Sequence, residues 1–107
     1  MAISNTLVTT SNSVMYASTG ASNAVTSMMV CNYGASSSNF TLYAVPSADV
    51  SGTTTQAKHT IISALPIPPG ETVSLDQEKL VLASGDTLIA IASVGSMLAF
   101  TISTLTV

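Results

Sequence analysis

The chain has 107 residues, 47% of them hydrophobic and only 7% charged, with a formal net charge of −3; at this length a single core in one domain spanning residues 1–107 is expected. Two cations, Lys58 and Lys79, are too few to neutralise a phosphate backbone, which argues against nucleic acid as a partner. A mean hydropathy of +0.55 excludes a disordered tail. Apolar runs no longer than Met28–Cys31 or Leu88–Ala92 fall far short of the roughly 20 residues of a spanning helix, so no membrane partner is expected.

The polar half of the pattern is written in hydroxyls, with 17 Ser and 15 Thr. Thr suits strands, whereas both residue types compete with helical backbone bonds, so β-structure is predicted. In chain order, Thr6–Thr10 and Ser13–Ala17 read as weak strands around Ser11-Asn12, and Ala24–Asn32 as a stronger one. Tyr33–Ser38 reads as a loop, Asn39–Val45 as a strand ended by Pro46, and Ser47–Ala57 as the longest loop. Lys58–Leu65 follows as a strand. Pro69-Gly70 fits the centre of a type II turn and releases a strand at Glu71–Leu75. Lys79–Ala83 is next, then a turn at Ser84-Gly85-Asp86, then Thr87–Val94. Gly95-Ser96 is expected to make a hairpin to Met97–Val107. In that last segment Leu98, Phe100 and Ile102 share one parity and Leu105 and Val107 the other, so a bulge is expected near Ser103 or Thr104. The sum is an all-β fold, an antiparallel β-sandwich of eight or nine short strands, jelly-roll-like.

Charge is distributed unevenly. No charged side chain lies between Met1 and Ala48, all seven lie between Asp49 and Asp86, and none follows Thr87. Neutral strand edges invite association, so a homo-oligomer is expected, most simply a homotrimer. The start of the sequence lacks a basic segment followed by an apolar one, so no signal peptide is recognised. The lone Cys31 agrees with folding in a reducing compartment.

The inventory for catalysis is thin. His59, beside Lys58 at the expected start of a strand, could serve as a base for a serine, but a local structural role is favoured. Cys31 follows Met28-Met29-Val30 without a basic neighbour and reads as a small buried apolar residue. Asp76 and Glu78, with Lys79, form the densest charge cluster, but two carboxylates in a turn without further ligands read as solvated rather than as a calcium or glycosidase pair. Ser84-Gly85-Asp86-Thr87 lacks the following helix and lysine of a phosphate loop and reads as a hairpin turn. Asn39-Phe40-Thr41 fits a glycosylation sequon, which matters only in a secreted protein. No catalytic, cofactor-binding or metal-ligating residue is assigned, and no cofactor is expected.

A set of segments carries a resemblance: Phe40–Pro46, Ile61-Ile62-Ser63, Ile67-Pro68-Pro69-Gly70-Glu71-Thr72, and Lys79–Leu88 with Ala90 and Ala92-Ser93. Together, over about Ser13–Ile102, the chain resembles small β-sandwich virion structural proteins of tailed bacteriophages, including those infecting cyanobacteria. It departs from them at Ala17-Ser18-Thr19-Gly20, where a Pro-Gly-like turn would be usual. The resemblance implies a non-enzymatic structural protein located in the virion and assembled in the host cytoplasm. Its first placement is a capsid decoration (cement) protein, with the major capsid protein and its own copies as partners. The alternatives are a tail, baseplate or fibre component, or a carbohydrate-binding host-recognition module. That last role would need an aromatic platform drawn from Tyr16, Tyr33, Tyr43, Phe40 and Phe100.

Overall fold

A computed structural model describes residues 2–75, 80–95 and 97–106. It contains nine strands: β1 (Ala2–Val8), β2 (Ser13–Ala17), β3 (Asn23–Asn32), β4 (Ser38–Val45), β5 (Thr60–Ile67), β6 (Thr72–Ser74), β7 (Val81–Leu82), β8 (Thr87–Ala92) and β9 (Leu98–Thr106). One sheet runs β1-β9-β3, with β6 and β7 both paired to the remaining edge of β3; the other runs β2-β8-β4-β5. All pairings are antiparallel. With β6 and β7 taken as one interrupted strand, the chain alternates between sheets everywhere except at β4–β5, which is the strand order of a jelly roll.

The core lies between the two sheets. Val8, Met28, Val30, Leu98, Phe100 and Ile102 come from the first sheet, and Phe40, Leu42, Leu88 and Ala90 from the second, all fully buried. The Phe40 and Phe100 rings stack with centroids 5.8 Å apart and planes at 20°, joining β4 to β9 across the sandwich.

The turns fall where glycine permits them. Glu71 N–H donates to Pro68 O at 3.3 Å with Gly70 at φ 79°, the type II geometry expected of Pro69-Gly70. Asp86 N–H closes the next turn on Ala83 O at 3.0 Å, with Gly85 at φ 95°. There a Cβ would sit 2.8 Å from Ser47 Cβ, so both backbone angle and space select glycine.

Several expectations are corrected. The Gly85 turn joins β7 to β8, in different sheets, and is a corner rather than a hairpin; the 93–97 connection likewise takes β8 into the other sheet instead of forming the expected hairpin. The bulge expected near Ser103 or Thr104 lies across from them. Val25 pairs with Thr104 and Ser27 with Ser103, so Thr26 is the extra residue, while β9 keeps its parity and leaves Leu105 exposed. A bulge in β3 shifts the pairing without turning β9's side chains over, so the change of apolar parity in β9 ends with Leu105 outside the core. The strand expected from Lys58 begins at Thr60, after a 3₁₀ turn at Ala57–His59, and continues through Pro66 to Ile67. Proline is tolerated there because β5 is an edge strand.

Candidate functional site

Four charged side chains fall among the described residues: Asp49, Lys58, Glu71 and Asp86. Asp49 and Lys58 belong to the 46–59 segment. Asp49 Oδ2 lies 3.3 Å from Lys58 Nζ and 3.1 Å from Nε2 of the buried His59. The other ring nitrogen, Nδ1, accepts the Gln56 backbone N–H at 3.1 Å. With one nitrogen donating to a carboxylate and the other accepting from backbone, His59 has no lone pair left to activate a serine. It holds the loop.

The hydrogen bond from His59, followed by the bond and charge of Lys58, keeps the Asp49 carboxyl below its ordinary value of 3.8. A depressed carboxyl stabilises the fold above its ordinary value and loses that contribution as pH falls through the lowered one. In urea titrations, the unfolding midpoint of the native protein is therefore expected to fall below about pH 4, and Asp49→Asn to remove part of that fall. Identical pH profiles for the two proteins would count against the linkage.

The 46–59 segment is anchored at both ends of the second sheet. Ser47 N–H donates to Asp86 Oδ1 at 2.8 Å, and Asn12 Nδ2 donates to Thr53 O at 3.0 Å and Thr55 Oγ1 at 3.2 Å. Between these anchors the outward residues Ile89 and Val45 are buried, although they lie outside the main core. The loop thus clothes part of this sheet. A cleft of about 160 Å³ opens beside it, lined by Ala44, Val45, Pro46, Leu80, Val81, Leu82 and Asp86. Its one carboxylate already accepts N–H groups from Ser47 and Ala83.

Among the described residues, the first sheet is bare. Its outward side chains align in cross-strand rows: Leu7-Ala99-Cys31-Thr72, Asn5-Thr101-Met29-Ser74 and Ile3-Ser103-Ser27. These positions carry no charge; Ile3, Leu7 and Met29 are exposed, and Thr101 Oγ1 donates to Asn5 Oδ1 at 2.9 Å. Ordinary surface is rich in Lys and Glu, and depletion of charge is what marks the centre of a contact surface. We identify this face as the candidate site. Cys31, expected to be buried, stands half-buried on it, because strand alternation turns it away from Val30 and Asn32.

The remaining sequence candidates do not converge. Asp76, Glu78 and Lys79 lie outside the described residues. Among the described residues no three His, Cys, Asp or Glu side chains come together as metal ligands. Phe40 and Phe100 are in the core, Tyr16 and Tyr43 are half-buried, and only Tyr33 is exposed, so the five aromatics build no platform. At Ala17–Gly20, the buried Ser18 hydroxyl donates toward Ala21 O and Leu82 O and accepts from Asn23 Nδ2 at 3.0 Å. No family model, curated protein or solved structure matches this chain.

Proposed function

We propose that this chain is a non-enzymatic structural protein of a bacteriophage virion, a decoration protein that seats its bare sheet on the capsid and associates with its own copies. The observation that carries the reading is the uncharged outer face of β1, β9, β3 and β6, beside a second sheet partly clothed by its own loop. Two further supports are the resemblance over Ser13–Ile102 and the jelly-roll strand order, which viral capsid proteins and lectins use; both are analogies at the level of fold. Between those two classes, the burial of the aromatic residues favours the structural role over glycan recognition.

Attachment through such a face rests on apolar burial and on hydrogen bonds from Ser, Thr and backbone groups, which salt does not screen as it screens ion pairs. Particles pelleted after molar sodium chloride should retain the chain, whereas moderate urea should release it, because urea solvates apolar and peptide groups. Release by salt alone from an intact particle would overturn the neutral-face reading. Copy number decides placement: hundreds per particle fit the capsid, and a few tens or fewer would assign the chain to a tail, baseplate or fibre.

A further inference from the structure

The four sheet edges differ in how they are guarded. On β5 the edge is broken by two register shifts, Ala64 at φ 50° and Pro66. On β2 it is broken by a register shift at Met15. The β6 and β7 edge is made of three- and two-residue strands that follow Pro68, Pro69 and Glu71. These are the usual devices that prevent edge pairing. β1 has none of them: seven residues in unbroken register with β9, without charge, proline or bulge, and with no strand on its other side among the described residues.

The sequence of β1 also reads the same chemically in both directions. About Asn5, Ser4 mirrors Thr6 and Ile3 mirrors Leu7, with Ala2 and Val8 completing the set. An antiparallel pair of identical strands places residue i opposite residue 10 − i of the other copy when the two-fold axis passes through residue 5. Apolar then meets apolar, hydroxyl meets hydroxyl, and Asn meets Asn. We infer that two copies of the chain pair through β1, antiparallel and centred on Asn5, so that the two bare sheets join into one continuous sheet.

The exposed Ile3 and Leu7 (69% and 53%) become cross-strand neighbours, Ile3 of each copy beside Leu7 of the other. A two-fold axis normal to the sheet keeps both bare faces on one side, and the guarded edges elsewhere stop growth at two copies. The three-fold expectation rested on scarcity of charge, which sets no symmetry; a palindromic edge specifies a two-fold. The pairing is independent of the virion reading.

The test is sedimentation of the full chain at tens of micromolar, with circular dichroism to verify the fold. The native chain should be a dimer. Ile3→Lys/Leu7→Lys sets like charges opposite each other at both ends of the pair and should weaken association about ten-fold or more. Ile3→Lys/Leu7→Glu sets ammonium against carboxylate across the axis and should restore it. Within one strand the two positions are about 14 Å apart, too far to pair with each other. A native monomer or trimer, or a like-charged variant that dimerises as tightly as the native chain, would overturn the pairing. So would an opposite-charged variant that folds but remains monomeric. A check without charge uses a Cys31→Ser background: Asn5→Cys should form a disulfide dimer under mild oxidation, and Ile3→Cys should not. The reverse result would refute the register.

Discussion

Replacing Phe100 by alanine is expected to lower folding stability by about 3–5 kcal/mol, read as a fall in the urea unfolding midpoint at unchanged slope. The ring is fully buried and stacks on Phe40, and the pair joins one sheet to the other. The cavity left by its removal is bounded by backbone in hydrogen-bonded strands, which relax little, so both transfer and cavity costs apply. A domain of this size has about 5–15 kcal/mol in total, and the variant should populate unfolded chains near body temperature. Because the rings share one contact, Phe40→Ala and Phe100→Ala should be non-additive. A loss below about 1 kcal/mol, the typical cost of an arbitrary substitution, would mean that neither ring is central to the core.

A second large effect is expected at Asn32, the last residue of β3. It is fully buried, and its Nδ2 donates to Ile67 O at 2.8 Å and to Ser36 O at 2.9 Å, while Oδ1 accepts Gly34 N–H at 2.9 Å. Its backbone also bonds Gly70 and Glu71. One side chain thereby ties the β3–β4 loop, the end of β5 and the Pro69-Gly70 corner together. Asn32→Ala removes the side-chain donor to Ile67 O and Ser36 O and the acceptor for Gly34 N–H, and should cost about 1–3 kcal/mol. Asn32→Asp keeps the acceptor for Gly34 but turns a carboxylate oxygen toward two carbonyls. Only the protonated acid can donate there, so folding should raise the carboxyl's pKa. A group raised on folding adds stability below its unfolded value that is lost as pH rises through the folded one. The deficit of Asn32→Asp relative to the native chain should thus be smaller at about pH 4 than at pH 7. An equal deficit at both would show that the two carbonyls do not face the introduced group.

The strands were legible because hydroxyl-rich alternation and glycine or proline punctuation are local signals; Ser13–Ala17 and the Pro69-Gly70 turn lie where they were read. What each strand pairs with was not. In this fold nearly every tight turn is a corner between sheets, so strands adjacent in sequence are seldom adjacent in a sheet, and a two-residue turn suggests a hairpin that does not form. His59 is a similar case. Its neighbours in sequence mark a strand start, whereas its role comes from Asp49, ten residues earlier, and from a backbone N–H that carries no sequence signal. The bare face was foreshadowed by the charge-free ends of the chain, because β1, β3 and β9 are built from them. The loop clothing the other sheet left no such trace, since Ile89 looks like any strand residue until its parity is known.

β9 lies between β1 and β3 in its sheet, yet it is synthesised after both. Until residues 98–106 leave the ribosome, the strands destined to flank β9 have no central partner, and their apolar residues stay uncovered. Closure of this sheet must therefore wait for β9, and non-local closure of this kind is slow. A chain interrupted before Leu98 would leave β1 without a partner and one edge of β3 open, both uncharged, the features that recruit chaperones or seed aggregates.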